Sequence, residues 1–100
     1  MAIIDISVVP VGTQSPSVSR YVAGAVRILK NEPGIKYELT PMNTIVEGDL
    51  QKLMSLAQRM HESAFDAGVR RVVTTIRIDD RRDKPLTMSS KKRAVNDKLG

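Results

Sequence analysis

Apolar and polar positions alternate along the first stretch of the chain, Ala2 to Val11. Ile4, Ile6 and Val8 fall on one side, and Ile3, Asp5, Ser7 and Val9 on the other. A period of two marks a strand with one side turned to a core, and here the second side is mixed. Pro10 and Gly12 punctuate its end. The period then lengthens: Val18, Val22, Ala25, Val26 and Leu29 recur at helical spacing. Ser15-Pro16 offers this helix an N-cap followed by a proline at its first position, where a missing N–H costs nothing. Asn31-Glu32-Pro33-Gly34 stops it.

Ile35 to Leu39 and Ile45 to Glu47 read as two short strands, joined through Thr40 to Thr44 as a hairpin. Asn43 suits a positive φ in that turn, since asparagine tolerates the left-handed region. Asp49 caps a second helix, whose expected buried stripe is Leu50, Leu53, Met54, Ala57, Met60, Ala64 and Phe65, and Gly68 closes it. The last strand, Val72 to Ile78, turns Val72, Thr74, Ile76 and Ile78 to one side and Val73, Thr75, Arg77 and Asp79 to the other. The tail from Ser89 to Leu99 has the makings of a short charged helix around Ala94, Val95 and Leu99.

The order βαββαβ with a C-terminal extension predicts an α+β, ferredoxin-like sandwich. Its four-stranded antiparallel sheet would carry two helices on one face and leave the other uncovered. On that open face Asp5 and Arg77 would sit on neighbouring strands as a cross-strand ion pair. Ile3, Val9 and Val73 make the same face half apolar, which points to burial against another copy of the chain.

Composition narrows the function. One hundred residues set the expectation of a single domain spanning 1–100. Tyr21, Tyr37 and Phe65 are the only large aromatics, so the core must be aliphatic and ring stacking is limited. Without cysteine there is no disulfide, thiolate nucleophile or cysteine zinc site, which fits a reducing cytosol. Asp5 inside the first apolar run, with no basic segment before it, argues for a strand over a signal peptide. No apolar run is long enough to span a bilayer. A soluble cytoplasmic protein with no membrane partner is expected. The net charge of +5 lies largely in the C-terminal third and reads as a solvated basic end. Neither the first strand nor Ile45-Val46-Glu47 has the aromatics on which RNA-binding sheets stack bases, so no specific nucleic-acid partner is expected.

Candidate chemistry is sparse. His61 and Glu62 are adjacent on a helix and point about 100° apart, so His61 reads as a packed, hydrogen-bonded histidine, and no second histidine supports a metal. Asp79 and Asp80 face opposite sides of a strand and are poorly placed to chelate one ion. Asp79 reads as salt-linked surface and Asp80 is more ambiguous. Gly12 to Ser17 leads into a helix but lacks the lysine and glycine spacing of a phosphate loop. Glu47 is harder to explain. It ends a three-residue strand and precedes a glycine, so its carboxylate stays near the sheet end. There it either accepts from an amino group and offsets a cationic ring, or serves as a helix-start acid favoured by the dipole. Thr44 and Asn43 add donors and acceptors at the turn. No base stands beside a positioned partner, so a non-enzyme without cofactor or metal is expected.

Four motifs together resemble one family. They are V-x-P-x-G-T at Val8 to Thr13, P-M-N-T-x-V-E-G at Pro41 to Gly48, His61-Glu62, and R-V-x-T-x-I-x-I-D-D-R at Arg71 to Arg81. The combination is similar to the thiamine-binding, YkoF-like proteins of ferredoxin-like fold, over nearly the whole chain. Asn43 stands where glycine is commoner in that family. The resemblance implies non-catalytic binding of thiamine, its aminopyrimidine part or a phosphate ester. It implies a carrier or sensor assembled as a homodimer or homotetramer through sheet pairing. Carried over residue by residue, it makes Thr13, Asn43, Thr44, Glu47 and Asp80 the expected ligand-binding set. Glu47 would meet the aminopyrimidine or the thiazolium charge, and the loop at Thr13 a hydroxyl or phosphate. The alternative is a regulatory module that senses another small metabolite at a subunit interface.

Overall fold

The computed structural model describes residues 1–100. Its elements are β1 (Ala2–Val11), α1 (Ser19–Arg27), β2 (Lys36–Leu39), β3 (Thr44–Gly48), α2 (Leu50–Asp66), β4 (Arg71–Asp79) and α3 (Met88–Leu99). The strands form one sheet in the order β2-β3-β1-β4, and every neighbouring pair is antiparallel. This is the ferredoxin-like arrangement that the sequence predicts.

The alternation along β1 sets the layers. Ala2, Ile4, Ile6 and Val8 are buried together with Val46 of β3, Ala25 of α1, Leu29 just beyond α1, and Leu53, Leu56, Ala57, Met60 and Ala64 of α2. The core is aliphatic with one methionine, as the shortage of aromatics requires. The buried stripe of α2 repeats at 53, 56, 57, 60 and 64, an i, i+3, i+4, i+7, i+11 series. It is rotated slightly from the expected one: Leu56 joins the core, while Met54 and Phe65 lie at its edge and are exposed. The Asp49 side chain accepts the Lys52 N–H at the start of α2. At its far end Gly68 takes φ +93° and donates its N–H to Phe65 O.

Two local expectations give way to serine and threonine hydroxyls. α1 starts at Ser19 rather than Pro16, and Val18 at its N-cap makes no side-chain cap. Ser15 Oγ instead accepts the N–H of Ser17 at 3.1 Å, and Thr13 Oγ1 donates to Ser15 O at 2.8 Å. These bonds offer the backbone a non-helical turn that competes with the first helical one. In the hairpin Asn43 does not take a positive φ. Thr40 Oγ1 donates to Asn43 Oδ1 at 2.7 Å and accepts the N–H groups of Met42 and Asn43. The hydroxyl closes the turn without a left-handed residue.

The second sheet face is only partly open. Leu86 is buried, and the chain passes from it into α3 across one end of that face. The Thr87 side chain and Ser90 form a capping box at the start of α3. Beyond that first turn the helix projects. None of its residues is buried, and Val95 and Leu99 are largely exposed. The radius of gyration is 14.8 Å, against about 13 Å for a compact chain of this length.

Candidate functional site

The strand register arranges the open face in rows that cross all four strands. One row is Lys36, Glu47, Ile3 and Asp79, and the next is Glu38, Ile45, Asp5 and Arg77. Ile3 and Ile45 sit diagonally at the centre, with charged residues around them. The expected Asp5–Arg77 pair is present, with Arg77 Nε 2.8 Å from Asp5 Oδ2. The hydrogen bond to Asp5, reinforced by its charge, raises the Arg77 pKa. The first residues of α3 close the end of this surface. Lys91 Nζ reaches Asp79 Oδ2 at 2.5 Å, and Lys92 Nζ lies 3.3 Å from Glu38 Oε2. Between sheet and helix is a hollow of about 410 Å³, floored by Ile3 and Ile45 and walled by Asp5, Arg77, Met88 and Lys91, among others.

Glu47 lies beside this hollow as the cross-strand neighbour of Ile3. It is the only buried ionisable residue of the chain, 4% exposed. Its Oε1 accepts the backbone N–H of Met88 at 3.0 Å. Both readings of Glu47 as a carboxylate at the sheet end are therefore instructive. It is a helix-start acid, but of α3, 41 residues away in sequence, rather than of the adjoining α2. An uncharged acceptor would satisfy the same N–H, yet the position holds a carboxylate next to an apolar floor.

The five residues expected at the site do not come together. Thr44 pairs with Ile6 and so faces the helices, whereas Glu47 faces the open side. The two are three residues apart on β3, about 10 Å along the strand and on opposite faces. Thr44 is buried and, with Asn43, lines a smaller hollow of about 190 Å³ at the hairpin end of the sheet. Thr13 lies in the loop past β1, ten residues beyond Ile3 and so roughly 30 Å away if extended. Glu47 and Asp80 share the other end of the sheet, but Asp80 turns away to Arg82, 2.9 Å from it.

Asp5, Glu38, Asp79, Met88, Lys91 and Lys92 also surround the hollow, and none of them was singled out for binding from sequence. The period of two placed Asp5, Arg77 and Asp79 on one face, and that was the available signal. Nothing in the sequence announced that α3 would return to it.

His61 is the packed histidine expected: its Nδ1 is 2.6 Å from Thr74 Oγ1, and its ring meets Phe65 edge-on. The charged run after β4 is salt-linked. Asp83 accepts from Arg81 Nε at 2.5 Å, and this hydrogen bond brings its pKa from an ordinary 3.8 to about 2. The Asp80 pKa is lowered for the same reason by Arg82. A depressed carboxylate adds stability above its unfolded pKa and loses it as pH falls through the folded value. The Asp83 contact should thus persist at pH 4 and open between about pH 4 and 2. A carboxylate-detected NMR titration should give Asp83 a midpoint near 2, and Arg81→Ala should return it to the ordinary range.

Comparison with known proteins bears on what this surface serves. The family model described as thiamine-binding protein matches residues 4–96. The chain belongs to that family. This member is 52% identical to UPF0045 protein YqgV of Bacillus subtilis, over 99% of this chain and 98% of that one. It is 42% identical to a UPF0045 protein of Methanothermobacter thermautotrophicus, with 95% and 96% covered. The crystal structure of hypothetical protein MJ1052 from Methanocaldococcus jannaschii superposes with a TM-score of 0.88 at 33% identity, covering 95% of each chain. A Thermotoga maritima protein, proposed to act in thiamine biosynthesis or salvage, superposes with a TM-score of 0.76 over 94% of this chain and 97% of its own. At 23% identity that likeness speaks for the fold. No helix of this family member is long and apolar enough to cross a membrane.

Proposed function

We propose that the chain is a non-catalytic binding protein for thiamine or its aminopyrimidine part, free or esterified, acting as a carrier or sensor in the cytoplasm. The ligand would lie on the open sheet face, at the hollow that the start of α3 covers. Ile3 and Ile45 offer a flat apolar floor for a ring, and in the absence of aromatics the contact is aliphatic packing. The observation that carries the reading is Glu47, a buried carboxylate that does not itself line the hollow but lies beside Ile3 of its floor and under Met88 of its wall, in a chain of the thiamine-binding family. A carboxylate accepts from an amino group with a charge-assisted bond and offsets a cationic ring. The larger hollow between α1 and β2, about 740 Å³, has Arg27 and Lys30 but no acid in its lining and lacks that complement.

In this reading Glu47 is the principal polar contact, and Asp79 takes the place at the rim expected for Asp80. Thr13, Asn43 and Thr44 belong to the opposite end of the sheet and do not touch the same molecule. Self-association to a dimer or tetramer is supported by Val9, Val11 and Val73, which stay exposed on the far half of the open face. Burying them requires a second surface.

Calorimetric titration with thiamine, its phosphates and hydroxymethylpyrimidine, with the mass in solution measured alongside, tests the proposal. Saturable, stoichiometric binding of at least one of them is expected. No heat from any of them, with stabilisation by an unrelated metabolite, would make the chain a sensing module for that metabolite instead.

A further inference from the structure

We infer that α3 is a latch over the binding surface, that Glu47 holds it shut, and that ligand binding releases it. The inference rests on the ligand reading above for its second half and on geometry alone for its first.

α3 is attached lightly. No residue of the helix is buried, so its position depends on the preceding Leu86, the half-buried Met88 and three polar contacts. Two of these are ion pairs between partly exposed side chains, Lys91–Asp79 and Lys92–Glu38, a class that adds little and weakens with salt. The third is the bond from Met88 N–H to Glu47 Oε1, and only this one involves a buried group. Met88 is the first residue of α3, directly after the Thr87 N-cap. Its N–H is one of the free donors at a helix start, and the acid lies at the favourable end of the helix dipole.

The same carboxylate is the group that a cationic, amino-bearing ligand would seek. At 4% exposure it is out of reach while Met88 lies on it. A ligand that bonds Glu47 must take the place of the Met88 N–H, and the start of α3 then loses its buried anchor. Helix and ligand are thus alternative partners of one acid, and by linkage whatever weakens one strengthens the other. The freed helix, with Val95 and Leu99 already uncovered, is a moving part that a sensor can present to a partner.

The chain has no cysteine, so Ser55→Cys on α2 and Asn96→Cys on α3 give one clean spin-label pair in the full-length protein. The distance distribution between them reports where α3 lies. Met88→Pro removes the N–H without disturbing the helix, since proline is favoured at a first helical position and Thr87 is already extended. Met88→Ala shortens the same side chain and keeps the N–H. Without ligand, the Ala variant should keep a narrow distribution and the Pro variant a broad one. Equally narrow distributions would overturn the latch.

With thiamine added to the pair in an otherwise native chain, the distribution should broaden in step with calorimetric saturation. Binding that leaves it unchanged would overturn ligand-driven release while leaving the proposed function intact. Met88→Pro should also bind thiamine more tightly than Met88→Ala, by about 10- to 150-fold, the factor a net hydrogen bond to a charged group is worth. Equal affinities would overturn the competition. Absence of thiamine binding in every variant would overturn the functional reading and ligand-driven release together, and the ligand-free comparison would still decide whether Glu47 holds α3.

Discussion

Glu47→Ala is expected to weaken thiamine binding by about 10- to 150-fold, the equivalent of one hydrogen bond to a charged group, with the fold retained. Glu47 contributes no contact to the main core, which lies on the other side of the sheet. The stability cost should therefore be that of one lost bond from Met88 to a charged group, about 1.5–3 kcal/mol. Thr44→Val is the matched control. It alters a buried residue three positions away on the same strand, but on the helix face, and should leave affinity unchanged even if it lowers stability. Calorimetry on both variants checks the pair. Undiminished affinity in Glu47→Ala would remove that residue from the site, and loss in Thr44→Val would move the site to the hairpin end.

The second large effect is on stability. Leu53 has no exposed surface and packs in the centre of the core. It also lies so close to Gly48 that a Cβ added there would come within 3.3 Å of its Cδ2 and 3.1 Å of Ile35 Cγ2. A site this tightly walled by β3 and its neighbours collapses poorly when a side chain is cut back. Leu53→Ala should cost about 2–5 kcal/mol, and with about 4–8 °C of Tm per kcal/mol in a chain of this size the loss is large for a domain of ordinary stability. Met54→Ala, one residue along and exposed, should cost under about 1 kcal/mol. Urea denaturation of the two variants measures the contrast. Similar losses for both would mean that the rotation of the α2 stripe is wrong.

That rotation shows what the sequence could and could not convey. Periodicity placed every strand and both core helices, because a period of two or 3.6 is a direct consequence of having one side buried. It also put Asp5 opposite Arg77, since strand order and alternation leave few other registers. It could not choose between Leu56 and Phe65 for the core, because both lie at the margins of one apolar stripe. What distinguishes them is the angle at which α2 meets the sheet. The start of α1 and the backbone conformation of Asn43 in the hairpin turn differ from expectation for a related reason. Ser15, Thr13 and Thr40 hydroxyls can serve the backbone in several ways, and the choice is made by which N–H groups happen to be free.

The site was legible only in part. Glu47 stands out as a carboxylate between a short strand and a glycine, which the sequence reads equally as a ligand contact or as a helix-start acid. The resemblance groups Asn43 and Thr44 with it, but three residues of strand turn Thr44 to the other face, and Asn43 lies in the turn before that strand. The resemblance adds Asp80 as well, and its carboxylate is turned to Arg82. The helix that completes the hollow is the least predictable piece. α3 is polar on nearly every side, so its placement depends on Leu86, Met88 and three long-range polar contacts, one of them formed across 41 residues, and no local pattern encodes those.

Whether thiamine sits against Glu47 is decided by following the backbone amides of the isotope-labelled protein by NMR as thiamine is added. The shifts should gather on Ile3, Ile45, Glu47 and Met88, with α3 moving alongside. Shifts confined to Thr13, Thr40, Asn43 and Thr44, or none at any thiamine concentration, would contradict that placement.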